Sequence, residues 1–187
     1  MEKQIKLNEN RSFIKYILYT LITFNIYHAF MFFKMLKEIN SISKEGKRTM
    51  NYLLLYFPFL LGNIILSIGN KIEEEMLSDT GRLLMLIFFI SILIWQYRFT
   101  KKVGNEIKYR NIDYKFGTKT FWLYIVILYV ILRGLFALLV DLLNLEQPIS
   151  TIIAFIPEAL FCVYIYKLIK AMNLLNANEN SKLKNVI

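Results

Sequence analysis

Residues 120–143 read TFWLYIVILYVILRGLFALLVDLL, a run whose only charges are Arg133 and Asp141. A hydrocarbon core of about 30 Å is crossed by about 20 helical residues, so this run is long enough to span a membrane. It is continuous and does not alternate, which excludes a half-buried strand. Working outward, similar runs occupy residues 13–33, 50–69, 83–97 and 149–166. The third is the shortest, so that Arg82 and Arg98 at its ends must extend their apolar stems toward the interfaces. The expected fold is all-α: a polytopic bundle of about five transmembrane helices over residues 13–175, a short polar tail at 1–12 and a mobile polar tail at 176–187.

Composition agrees. Of 187 residues, 56% are hydrophobic and the mean hydropathy is +0.43, against about 45–50% apolar residues in soluble domains. The abundance of Ile, Lys, Asn and Tyr points to an AT-rich bacterial genome. The lone cysteine, Cys162, lies inside an apolar run, where it reads as a small buried hydrophobe and allows no disulfide within one chain. The first apolar run is long and shows no small-x-small cleavage pattern, so it is read as retained rather than as a cleaved leader.

The net charge of +9 sits between the apolar runs, where basic residues set orientation. Sixteen Lys and Arg follow the first, third and fifth runs, among them Lys34, Lys37, Arg98, Lys101, Lys167 and Lys170; six lie in the alternate segments. The first set is expected to be cytoplasmic and to anchor to anionic inner-leaflet lipids. Glu73, Glu74, Glu75, Asp79 and Glu146 fall on the other side. This arrangement puts the C-terminus inside and the N-terminus outside, unless the first helix dips in and returns near Asn25, which would keep the tail inside.

Three run ends repeat a pattern of an aromatic, basic residues one turn apart and an Asn: Phe33 to Asn40, Tyr166 to Asn173 and, more loosely, Tyr97 to Asn105. Interfacial anchoring explains the aromatic and the bases. The Asn is expected either to end each helix or to mark a duplicated unit.

The opening segment carries a further pattern. Arg11-Ser12-Phe13-Ile14-Lys15-Tyr16, then Thr23-Phe24-Asn25-Ile26-Tyr27, then Phe33-Lys34 and Ile39-Asn40, resembles the DUF4234 family of small bacterial membrane proteins, whose function is uncharacterised. The resemblance covers about thirty residues and implies a membrane location and a helical fold, with no reaction. Asn25 stands at the family's usual Gly, and Asn also adopts left-handed geometry, which suits a break in the first helix.

Chemistry is sparse. No phosphate loop, nucleophile motif, zinc motif or paired-carboxylate spacing occurs, so no catalytic residue, metal or cofactor is expected and the chain does not read as an enzyme. The basic loop over residues 101–119 includes Tyr109, Tyr114 and Phe116; a stacking surface for nucleic acid is set aside in favour of attraction to anionic lipid. Polar residues within the runs are the functional candidates, because such groups are costly in hydrocarbon: Arg133 and Glu158 first, then His28, Asn25, Asp141 and Asn63. Arg133 and Glu158 are expected at one depth and paired inside the bundle, and Pro157 is expected to kink its helix. The functional expectation is a non-enzymatic envelope protein that binds or senses within the bilayer, in an immunity or accessory role, with a membrane protein or a second copy as partner. The alternative is a small transporter or channel subunit with a polar path through Arg133, Glu158 and His28.

Overall fold

The computed structural model describes residues 7–23, 26–43, 49–143 and 149–184. Every regular element among them is helical: α1 (Phe13–Ile22), α2 (Ile26–Ile42), α3 (Leu53–Lys71), α4 (Glu75–Tyr109), α5 (Thr118–Phe121), a π-helical segment (Trp122–Ile131), α6 (Leu132–Leu142) and α7 (Ile149–Lys184). Among the described residues four stretches are long and apolar enough to cross a membrane: Leu53–Lys71, Glu75–Tyr109, Thr118–Val140 and Ile149–Lys182. The all-α polytopic expectation therefore holds, with four such spans in place of five.

The missing fifth is a correction at the start of the chain. The run over residues 13–33 is not one helix, because α1 ends at Ile22 and α2 begins at Ile26. Thr23 joins them: its hydroxyl donates to the Tyr19 carbonyl at 2.7 Å and accepts the Tyr27 N–H at 2.9 Å. The Tyr16 hydroxyl then lies 2.6 Å from His28 Nδ1. Twelve residues of continuous helix would separate these positions by about 18 Å. The segment is thus a helical hairpin, and α1, with 10 residues, is too short to span alone. Asn25 itself lies outside the described residues.

Three other boundaries move. The short third run is the middle of α4, whose 35 residues extend for about 52 Å. The expected loop at 101–119 is helical as far as Tyr109. The tail expected to be mobile from Asn176 continues α7 to Lys184, and Asn176 is fully buried. Hydropathy marks what lipid touches; these extensions are helical because their apolar faces are covered by protein. α7 also stays helical on both sides of Pro157.

The chain forms two compact units. The first, Ile14–Phe99, has an aromatic core centred on Phe32, which is fully buried. Its ring centroid lies 4.6 Å from His28, 5.1 Å from Tyr52 and 5.7 Å from Trp95. Trp95 stacks on Phe99 at 4.9 Å and donates its indole N–H to the Met50 carbonyl at 2.6 Å. In the same unit α3 and α4 form a tight antiparallel pair whose register is set by glycine. A Cβ on Gly69 would fall 2.6 Å from the Ser78 backbone nitrogen, and one on Gly81 would fall 2.5 Å from that of Leu66. Glu73, at φ 58°, makes the turn between them, and the Glu74 N–H closes it on the Gly69 carbonyl at 2.9 Å.

The second unit comprises Lys6–Phe13 and Thr100–Ile187. Its core includes Val103, Ile107, Phe116, Tyr164, Leu168 and Met172. Asn111, at φ 53°, ends α4, and the Ile112 N–H returns to the Ile107 carbonyl at 3.1 Å. The Tyr164 and Thr100 hydroxyls lie 2.6 Å apart.

Within this unit residues 7–11 lie along the C-terminal part of α7, held by three asparagines on one helical face. Asn173 accepts the Arg11 N–H at 3.1 Å and donates to the Arg11 carbonyl at 2.9 Å. Asn176 donates to the Asn8 carbonyl at 2.8 Å, and Asn180 reaches the Leu7 carbonyl at 3.4 Å. The N-terminal segment is therefore tied to the C-terminal part of α7. This corrects the reading of Asn173 as a helix end. Its amide presents a donor and an acceptor to a segment 162 residues away in sequence.

Candidate functional site in the membrane-spanning helices

Arg133 is nine residues from the end of α6 at Leu142, and Glu158 is nine residues from the start of α7 at Ile149. At 1.5 Å per residue both sit about 13.5 Å from those ends, and the structure pairs them: Arg133 Nη1 donates to Glu158 Oε1 at 2.5 Å. The same nitrogen donates to the Tyr129 hydroxyl at 2.9 Å, and the guanidinium lies 5.6 Å from the Tyr129 ring centroid. Phe161, one turn beyond Glu158 on α7, packs at 5.1 Å against that ring. Tyr129 belongs to the π-helical segment and Arg133 to α6, so the triad straddles the change of winding, a feature common at functional positions.

The expected pair is present, but its surroundings differ. The two side chains are 58% and 43% exposed, so the pair lies on the open surface of the helix pair and not inside a bundle. Charged groups facing hydrocarbon in this way are expensive, at about 2.5–3.5 kcal/mol for an isolated Arg or Asp on insertion scales. Pairing offsets part of this. The arrangement can bind a polar or charged group brought to it through the membrane.

The other candidates separate from this site. His28 is buried in the aromatic core of the first unit, bonded to Tyr16 and ringed by Phe32, Tyr52 and Tyr56; it is a packed histidine. Asn63 donates to the Phe59 carbonyl of its own helix at 3.0 Å. Asp141 lies on α6; its side chain is outside the described set. Of the expected anchors, Lys34, Lys37, Arg98, Lys101 and Lys170 are exposed and Lys167 is half-buried. Several rest on rings: Lys37 on Phe33 at 4.4 Å, Lys170 on Tyr114 at 5.3 Å and Lys167 on Tyr124 at 5.7 Å. Phe116 is buried, and Tyr114 donates to the Lys167 carbonyl at 3.3 Å. Burial, with the nearby Tyr166 and Tyr124 hydroxyls adding to it, raises the Tyr114 pKa, which keeps that donor protonated at neutral pH. Among the described residues no three His, Cys, Asp or Glu side chains gather where a metal could bind.

Sequence reasoning missed one charged group. Arg110 bonds Glu106 at 3.4 Å, Asn178 at 3.3 Å and Glu179, with the Arg110 and Glu106 side chains only 5% and 4% exposed. The i,i+4 spacing of Glu106 and Arg110 was visible. Their burial was not, because it depends on α7.

These features define an all-α polytopic protein that carries, among the described residues, an exposed charge pair on two helices long and apolar enough to cross a membrane. The sequence profile of a domain of unknown function, DUF4234, matches residues 11–105. That is more than half of the chain, which belongs to this family. The matched region nearly coincides with the first compact unit and excludes the Arg133–Glu158 pair. No curated protein and no solved structure matches the chain.

Proposed function

We propose that this chain is a non-enzymatic, multi-pass protein of the bacterial cell membrane that works by binding within the bilayer, as a sensing, immunity or accessory component of the envelope. The observation that supports this reading is the Tyr129–Arg133–Glu158 group, placed about 13.5 Å inside two spanning helices and open on its outer face. A charge pair costs least when buried in protein, and an exposed one in a spanning helix is matched by a polar group arriving from another membrane segment.

In the proposed orientation the basic connections and the C-terminus are cytoplasmic. The asparagine-held tail lies on that same side, so the α1–α2 hairpin enters and returns without crossing. The turn at Glu73 and Glu74 faces outward, and the exposed basic side chains meet anionic lipid.

The test is water access. In a Cys162→Ser background, cysteines at positions 133 and 158 are challenged from each side with charged thiol reagents, and proteoliposomes are assayed for ion and proton flux. The binding reading expects protection at both positions and no flux above that of protein-free vesicles. Labelling at both, with flux abolished by Glu158→Gln, would replace it with a transporter or channel subunit.

A further inference from the structure

We infer that the partner at the Tyr129–Arg133–Glu158 face is a second copy of this chain, docked so that Arg133 of each copy meets Glu158 of the other. This rests on the binding role proposed above and names its partner.

Three observations carry it. Arg133 uses Nη1 for both of its partners, and its Nη2 and Nε have no hydrogen-bond partner among the described residues. Those N–H groups point to an acceptor outside the chain, because water cannot serve them in hydrocarbon. The face is also self-complementary. A cation and an anion sit side by side at one depth, so a two-fold axis along the membrane normal lays each against its opposite in the other copy. Finally, the surface beside Arg133 is bare. A Cβ on Gly134 would meet nothing within 4 Å, and Ala137, one turn on, is exposed. Small residues let two helix backbones approach closely enough for side-chain hydrogen bonds to cross between them. This span is also the least covered of the four: 6% of its most apolar window is buried, against 17–29% in the others.

A partner of different sequence would need its own matched acid and base at that depth, whereas a second copy supplies both. In the dimer the guanidinium bridges its own Glu158 and that of the other copy, and its free N–H groups are satisfied.

The test co-expresses two differently tagged full-length copies and extracts them in polymer nanodiscs. Wild-type copies should co-purify. Arg133→Glu in both copies, or Glu158→Arg in both, should reduce co-purification about tenfold or more through like-charge contact. An Arg133→Glu copy expressed with a Glu158→Arg copy should restore it, since two acids then face two bases. As a check independent of charge, Gly134→Cys in a Cys162→Ser background should give an oxidised dimer of twice the 22.2 kDa chain. Absence of that dimer, undiminished association of the single variants, or failure of the mixed pair to recover would each overturn the proposal. A cross-linked species of any other mass would also overturn it, yet leave the binding role standing with a different partner. Flux through the protein is the separate result that removes the binding role itself.

Discussion

Tyr16 and His28 touch, hydroxyl to Nδ1 at 2.6 Å, although a continuous helix would hold them about 18 Å apart. This bond fastens the hairpin, and both groups are buried. Tyr16→Phe should destabilise the protein by about 1–3 kcal/mol, because the buried bond to His28 Nδ1 is lost. Adding His28→Phe should recover part of the loss, since the Tyr16–His28 bond is then removed from both sides. Denaturation of the purified protein in mixed micelles measures both. Additive losses would show that the bond carries no stability.

The hairpin and the asparagine-held tail together predict topology. Cysteines at Asn10, Glu74 and Tyr109 in a Cys162→Ser background are treated with an impermeant thiol reagent in intact cells. Position 74 should label directly, and positions 10 and 109 only after permeabilisation. Labelling of 10 together with 74 would place the tail on the wrong side for its bonds to Asn173 and Asn176.

The spans were readable from hydropathy because lipid contact selects for apolar residues at every turn. The ends of α4 and α7 were not. Thr100, Lys102, Glu106 and Asn176 are polar and yet buried, covered by elements far away in sequence. The break after Ile22 was hinted at only by the family resemblance around Asn25, since α1 and α2 are both apolar enough to read as one run. Arg133 and Glu158 could be placed at one depth from the short connection between their helices. The face they occupy could not, because rotation about the axis depends on winding, and the π-helical turns before Arg133 shift every later side chain relative to a 3.6-residue helix. The asparagine face at 173, 176 and 180 was in plain view, but its partner is the first segment of the chain.

Glycine register gives a prediction with an internal control. Gly69→Ala and Gly81→Ala each drive a methyl to within 2.6 Å of backbone on the facing helix, which cannot move aside as a side-chain tip would. Each should cost about 1–3 kcal/mol or more by forcing α3 and α4 apart. In detergent-dispersed monomers Gly134→Ala meets open space and should be neutral or stabilise by up to about 1 kcal/mol through helix propensity. Thermal aggregation midpoints in one detergent rank the three. Equal behaviour at 69 and 134 would contradict the close packing of α3 on α4.

The last prediction sets two ion pairs against each other. Asp79 and Arg82 are bonded at 3.1 Å with side chains 72% and 65% exposed. Such a pair contributes about 0–1 kcal/mol, because solvent screens it and two long side chains lose freedom in forming it. Arg110 has a comparable formal partner set but a different environment: it and Glu106 are almost wholly covered, and Glu179 on α7 completes the group. Removing Arg110 takes the cation away from the almost wholly covered Glu106 and from Glu179, so Arg110→Ala should cost about 3–5 kcal/mol. Arg82→Ala should cost less than about 1 kcal/mol. Replacing Arg110, Glu106 and Glu179 together by Met, Leu and Leu should recover much of the loss, because an apolar group of similar volume avoids the desolvation of all three charges. Salt separates the mechanisms further: raising ionic strength should weaken only the Asp79–Arg82 contribution, since screening acts on exposed charges. Unfolding free energies at low and high salt read all of these at once, and a loss at Arg110 no larger than at Arg82 would mean that the buried group does not hold α4 to α7.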